Sequence, residues 1–350
     1  MKRTILPMAV LFLCAGSIVR SSAIKFNPIQ KDSPASISNA SPERVILDTD
    51  IGDDIDDAFA LALALSSTEI KLMGVTTAWG DTGLRARLLE RFLCETGESH
   101  VPVFAGVATQ SRTSFTQRGW AEQFAANTKP STSAIDFTLN TIRQHPGQIT
   151  LISIAPLSNI GALIDKDPAT FRKLKKVVIM GGSIRRGYDS PGVAKAQVPS
   201  PEYNILMDIS SANILFASGV PVFMLPLDST QLRLDAARRA VLFRGNTPLT
   251  DVLMQLYSEW SAATKRSTPV LFDAMAVAYD LDPALCPMTP MRLHVDGGGY
   301  TRVIAGTPNV DVCLQSDPDK FFSFYMPRIL DAKFQSSGPG FSCTGKPNVR

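Results

Sequence analysis

Short apolar runs alternate with longer helical stretches along the chain from residue 43 onward. Arg44 to Leu47 (RVIL) predicts a buried strand, and Ala58 to Leu65 (AFALALAL) predicts the helix after it. Lys71 to Thr77 (KLMGVTT) and Val101 to Phe104 (VPVF) predict the next strands, separated by a helix over Leu84 to Phe92. The theme repeats at Thr150 to Ile154, Lys176 to Met180 and Val220 to Leu225, with helices around Leu157 to Ile164 and Ala212 to Ala217. Strand, helix, strand at this spacing predicts an α/β fold, a mostly parallel sheet with helices on both faces. Then the order changes. Helical stretches run from Leu249 to Ala263 and from Phe272 to Tyr279, and residues 291 to 314 predict a β-hairpin turning at Asp296-Gly297-Gly298-Gly299. A last helix spans Pro318 to Leu330. No composition shift marks an internal linker, so residues 43–332 read as one domain with a C-terminal β-hairpin and helix. In open α/β sheets, ligands sit at the carboxyl ends of the strands.

The segment before this pattern reads as a processing signal. Lys2 and Arg3 precede an uncharged, mostly apolar run from Ile5 to Val19, and Ser21-Ser22-Ala23 supplies small residues for cleavage. A membrane anchor would need about 20 apolar residues, and this run is shorter and contains Pro7. The bulky Leu13 before Cys14 argues against a lipoprotein site. The expectation is therefore a signal peptide over residues 1–23, export to the periplasm or beyond, and no stable membrane insertion after processing. Residues 24–42, rich in Ser, Pro and Asn, read as a polar leader, and the Gly/Ser/Pro-rich stretch 333–350 as a mobile tail. Beyond residue 23 the chain carries 32 basic and 32 acidic side chains. That balance lacks the positive footprint of a nucleic-acid binder. Cys94, Cys286, Cys313 and Cys343 form an even set that allows disulfides in an oxidising compartment, in any of three full pairings.

The most informative stretch is Asp48-Thr49-Asp50-Ile51-Gly52-Asp53-Asp54-Ile55-Asp56-Asp57, with six carboxylates in ten residues and no basic one. It comes directly after a predicted strand and opens a predicted helix. Helix capping and the macrodipole favour acids there, each by about 0.3–1 kcal/mol. Those effects explain two or three aspartates. Six close like charges raise one another's pKa and destabilise the loop, and a bound hard cation such as Ca²⁺ or Mg²⁺ resolves that conflict. An EF-hand is excluded, because Asp53 and Phe59 stand where its Gly and Glu would be. A phosphotransferase loop with Asp48 as nucleophile lacks its downstream Thr, Ser and Lys partners.

Together with several later stretches of the chain, this cluster resembles the signature of the inosine-uridine-preferring nucleoside hydrolases, Asp-x-Asp-Pro-Gly-x-Asp-Asp-Ala at the end of the first strand. The further matches occur in order: Val75 to Asp81 (VTTAWGD), Ala155 to Ile160 (APLSNI), Met180-Gly181-Gly182, Glu202-Tyr203-Asn204 and Phe272 to Ala278 (FDAMAVA). The resemblance implies a nucleoside-hydrolase-like parallel-sheet fold that holds one Ca²⁺ and cleaves N-ribosides to ribose and free base. By resemblance, Asp50 would bind calcium and take a proton from the attacking water, with Asp57, Asp273 and the Ile154 carbonyl as further calcium ligands. Asp56, Glu202 and Asn204 would hold the ribose hydroxyls, Asp81 would lie beside the sugar, and Met180 would pack beneath it. Asp48 would support the loop. The family forms dimers and tetramers, so a homo-oligomer is implied.

The chain departs from that pattern in four places. The loop between Asp50 and Asp56 is longer by two, which assigns Asp53 and Asp54 to supporting or surface positions. Asp81 replaces a common Asn, Ala196 replaces an Asn six residues before the Glu, and Phe272 replaces the His associated with protonating the departing base. His100, His145 and His294 fall outside every matched motif. Carboxylates and a cation suit oxocarbenium-like cleavage of an N-glycosidic bond, but activation of the leaving base is not visible. Tyr188, Tyr257, Trp79, Trp120 and Trp260 are candidates without an assignment. The departures leave two alternatives: a periplasmic riboside- or ribose-binding protein without turnover, and a hydrolase of another glycosyl compound with a good leaving group.

Overall fold

Strand β1 (Glu43–Thr49) is buried over its last five residues, as an apolar run covered on both faces requires. In the computed structural model, which describes residues 41–124, 133–189, 198–333 and Cys343, it lies inside an eight-stranded sheet. The remaining strands are β2 (Ile70–Thr77), β3 (Val103–Ala105), β4 (Ile149–Ser153), β5 (Lys176–Met180), β6 (Val222–Leu225), β7 (Met288–Met291), β8 (Leu293–Val295), β9 (Thr301–Val303) and β10 (Val310–Cys313). The large sheet runs β3-β2-β1-β4-β5-β6-β10-β7, parallel throughout except for β7. Its winding reverses between β1 and β4, which makes the carboxyl ends of those strands a topological switch point.

Alternate residues of the central strands feed two cores. Val45 and Leu47 of β1, Ile152 of β4 and Val178 of β5 face one apolar cluster, whereas Ile46, Leu151, Val177 and Ile179 face the other. Helix α1 (Asp56–Leu65) has nine of its ten residues buried, and its alanines pack beside those of the helix Ala274–Leu281. Small side chains let the two helices approach closely, so their N-termini sit side by side. Two positive helix ends then meet where Asp56, Asp57 and Asp273 begin their helices.

Two elements differ from the expectation. The β3–β4 crossover contains a helix, Ala134–Gln144, capped by Ser133, whose Oγ accepts from the Asp136 backbone. The predicted hairpin is present as β8 and β9, with the Asp296 carboxylate accepting from Gly298 and Tyr300 in its turn. Its flanks, however, join the large sheet: β10 pairs parallel with β6 and antiparallel with β7. The segment therefore completes the sheet and is not an appendage to it. Disulfides join Cys286 to Cys313 and Cys94 to Cys343. The signal segment, all of the leader except Ser41 and Pro42, Ala196 and most of the tail lie outside the described residues. Among the described residues, no helix is long and apolar enough to cross a membrane.

Candidate active site

Register places the first of the six aspartates. Asp48 is opposite Thr76 of β2 and Ser153 of β4. Thr76 Oγ1 donates to its Oδ1 at 2.6 Å, Asn159 Nδ2 to the same oxygen at 2.7 Å, and Ser153 Oγ to Oδ2 at 3.1 Å. Burial pushes its pKa up to about 6 against the pull of these donors. Asp48 is thus a tie between three strand ends, as a supporting role requires.

Asp53 is neutralised by a residue far away in sequence. Arg85, on helix α2 (Thr82–Glu95), is 1% exposed, and its Nη2 meets Asp53 Oδ2 at 2.8 Å. Its Nη1 donates to the carbonyls of Asp50 and Ile51 and to Asp53 Oδ1, and its Nε donates to the Trp79 carbonyl. The long aspartate loop is therefore wrapped around one guanidinium. Gly52 closes the wrap at φ +119°, where a Cβ would come within 2.2 Å of the Phe115 ring. Arg85 is not singled out by sequence; its helical spacing with Leu88, Leu89 and Phe92 is a signal that it is buried, but nothing in the sequence names its partner. Replacing it with Met should leave Asp53 buried without a counter-charge and three carbonyls unpaired. The expected loss is about 3–5 kcal/mol of unfolding free energy in urea, and part of it should return in the Arg85→Met/Asp53→Asn double variant.

The other acids converge on a cavity of about 240 Å³. Asp50, Asp54, Asp56, Asp57 and Asp273 line it together with the Arg85-paired Asp53 and with Ile154, Met180, Glu202, Asn204, Phe272, Thr113, Tyr188 and Tyr203. Eight of the nine residues that the resemblance assigns to the cation, the base or the sugar line this one cavity. The exception is Asp81. It is exposed, and its carboxylate caps α2 by accepting from Leu84 N at 3.0 Å. Trp79 and Gly80, just before it, both take positive φ. Asp53 and Asp54 are not surface groups either: both line the cavity, and Asp53 is also paired with Arg85.

Carboxylate oxygens of Asp56, Asp57 and Asp273 all lie within 4.8 Å of one another, and all three residues are buried. Asp50 faces the same cavity but is not a member of that close trio, which instead contains Asp56. Burial, first of all, raises the pKa of Asp50, Asp56, Asp57 and Asp273 well above the ordinary carboxylate range. Neighbouring carboxylates add to it: Asp57 on Asp50, Asp54 on Asp56, Asp56 on Asp57, and Asp56, Asp57 and Asp50 on Asp273. The trio thus contains several acids that disfavour their own ionisation, and no lysine or arginine reaches it to form an ion pair among the described residues. That donor set fits a hard divalent cation, which prefers carboxylate oxygens and holds them ionised.

A second polar group faces the acids. Glu202 caps the helix Tyr203–Met207: its Oε1 accepts from Asn204 N at 2.9 Å, and its Oε2 from Gly182 N at 2.8 Å and Ile205 N at 3.1 Å. Burial raises its pKa and these donors lower it. Asn204 Nδ2 donates to the Met180 carbonyl at 3.2 Å, so Met180 and Asn204 share a wall. Of the aromatic candidates, Tyr188 lines the cavity. Tyr257 donates to the Ser267 carbonyl, and Trp120 and Trp260 are buried in the core. Neither Trp79 nor any histidine is part of the wall.

A mostly parallel sheet covered on both faces, with a carboxylate-lined cavity at its switch point, defines an α/β protein with a ligand site at its strand ends. The model of the inosine-uridine preferring nucleoside hydrolase family matches residues 45–323. The pyrimidine-specific ribonucleoside hydrolase RihB of Escherichia coli is 32% identical over 308 residues, covering 80% of this chain and 94% of that protein. An uncharacterized protein of Schizosaccharomyces pombe is 34% identical over 211 residues, 56% of this chain and 65% of the other. Among solved structures, a plant nucleoside hydrolase (TM-score 0.71, 23% identity) and a purine-preferring ribonucleoside hydrolase from Gardnerella vaginalis (TM-score 0.69, 24% identity) share the fold. Each match covers 83% of this chain and 99% of the other. The chain belongs to the inosine-uridine preferring nucleoside hydrolase family and is a hydrolase of N-glycosyl bonds.

Proposed function

We propose that this protein is an exported ribonucleoside hydrolase that holds Ca²⁺ among Asp56, Asp57, Asp273 and the Ile154 carbonyl and uses Asp50 as its base. The single observation that carries the reading is the convergence of buried, mutually raised carboxylates on one cavity with a separate polar wall facing them. Ca²⁺, when bound, supplies acidification of a water and a template for a sugar diol. The chain's own groups do the rest. Asp50 projects from the β1 end into the cavity, with its carbonyl fixed by Arg85, and accepts the proton of the attacking water. Asp56 faces both the cation group and the cavity, and so receives the diol. Negative charge around the sugar favours the oxocarbenium-like state that develops as the bond breaks.

Export is supported by the N-terminal pattern and by the two disulfides, which persist in oxidising compartments. An N-terminus at Ile24 on protein recovered from the periplasm or medium is the expected finding, and an intact Met1 in the cytoplasm would contradict it.

Phe272 sets the leaving-group behaviour. It lines the cavity next to Asp273 and packs edge-on against Tyr188, with ring centroids 6.0 Å apart. An apolar ring there supplies no proton, so departure depends on how well the leaving group carries negative charge. Assays with p-nitrophenyl riboside, inosine and uridine test both the function and this feature. Turnover of the activated riboside should exceed that of inosine, and Phe272→His should raise inosine turnover within the range of about 10²–10⁴ typical of general acids. Tight riboside binding without turnover of any of the three would make the protein a binding protein instead.

A further inference from the structure

The Tyr188 hydroxyl is held loosely at Glu202, a carboxylate whose other contacts are all made by the backbone. Glu202 has three backbone donors, from Gly182, Asn204 and Ile205, fixed by the fold at 2.8–3.1 Å. Its fourth partner is the Tyr188 O–H at 3.4 Å, well beyond the roughly 2.5–3.0 Å of an O–H···O bond. On its other side the phenol oxygen accepts from Tyr203 N at 3.0 Å. The loop carrying Tyr188 is pinned from below. Asp228 accepts from the backbones of Ile184 and Arg185, while Gln231 accepts from Asp189 N and donates to the Gly187 carbonyl. The phenol therefore stays in place, and its oxygen and Glu202 Oε1 lie close enough for one further hydroxyl to bridge both from the cavity side.

We infer that Tyr188 is a substrate contact: a sugar hydroxyl bridges it and Glu202 from the cavity, donating to Glu202 Oε1 and accepting from the Tyr188 O–H. This rests on the riboside reading above. A riboside has three hydroxyls, and the diol is taken at the acidic trio, so the one left for this wall is the exocyclic hydroxymethyl group. The contact selects sugars that carry it. Phe272, packed on the ring edge, keeps the phenol aimed at Glu202 while substrate is bound.

The test is a cycle of wild type and Tyr188→Phe against p-nitrophenyl riboside and its 5-deoxy analogue. Phenylalanine keeps the ring and its contact with Phe272, so the fold is retained. The expected result is roughly a fivefold to tenfold loss of kcat/KM on the riboside, the worth of one hydrogen bond, and no loss on the 5-deoxy analogue. Equal losses on both substrates would show that Tyr188 acts only by holding its loop, and would overturn the inference. So would no loss on either. The same cycle, read as dissociation constants for methyl ribofuranoside and its 5-deoxy form, needs no turnover. A wild type that hydrolyses nothing but shows the cycle in binding would overturn the hydrolase reading and leave the contact standing.

Discussion

Asp50→Asn is expected to abolish turnover while riboside binding survives. The substitution keeps size and shape, so the loop around Arg85 should persist, because Arg85 holds the backbone carbonyls of residues 50 and 51 and the Asp53 side chain. An amide cannot accept the proton of an attacking water. Loss of a general base typically costs about 10²–10⁴ in rate. In the proposed site the sugar contacts come from other residues, Asp56 on one wall and Glu202, Asn204 and Tyr188 on the other, so a bound riboside should keep its partners. Single-turnover kinetics on p-nitrophenyl riboside, with calorimetric binding of methyl ribofuranoside, separate the two quantities. Normal turnover by Asp50→Asn would remove Asp50 from the mechanism.

The second large effect is on stability. A cation that binds only the folded protein stabilises it by mass action, about 4 kcal/mol at a thousandfold excess over Kd. In a domain of this size that is on the order of 10 °C in Tm. Chelation should lower Tm by that amount and Ca²⁺ should restore it. Asp57→Ala and Asp273→Ala should lose most of the response. Asp81→Ala should keep it, with only the modest cost of a lost helix cap.

The same groups give the response a pH dependence of definite sign. Asp50, Asp56, Asp57 and Asp273 have folded pKa values raised well above 3.8, and Asp48 is raised to about 6. Without a cation the folded state therefore binds more protons than the unfolded chain, and stability falls as pH rises from about 4 through the raised values. A cation held by Asp56, Asp57 and Asp273 needs those three ionised, so its affinity grows over the same interval. The Tm difference between calcium and chelator should accordingly be small near pH 4 and widen toward pH 8. Taking the difference cancels surface pairs such as Asp167 with Arg143, whose lowered carboxylate pKa has the opposite dependence. A difference independent of pH would mean that these carboxylates do not hold the ion.

The alternation of apolar runs and helical stretches determined, by itself, the parallel sheet and the strand end on which Asp50 stands. Local pattern is enough there, because β1, β4 and β5 are covered on both faces and α1 is buried all round, so their apolar runs are nearly continuous. The acidic loop was legible for the same reason: six carboxylates in ten residues conflict with local electrostatics unless something outside the loop resolves it. What resolves it was decided only in three dimensions. Arg85 lies 32 residues from Asp53 and neutralises it through helix packing, and the alanines of α1 and Ala274–Leu281 bring Asp273 to Asp56 and Asp57 by close helix approach. Asp81, in a matching stretch of sequence, caps α2 instead of lining the cavity, after two positive-φ residues that no periodicity reveals. The position of Tyr188 against Glu202 likewise depends on a loop fastened by Asp228 and Gln231. Sequence period reports which face of an element is buried, and therefore fixes strands, helices and the ends where chemistry gathers. Which side chains meet across those ends depends on packing distance, helix approach and backbone turns, and only the tertiary structure sets them.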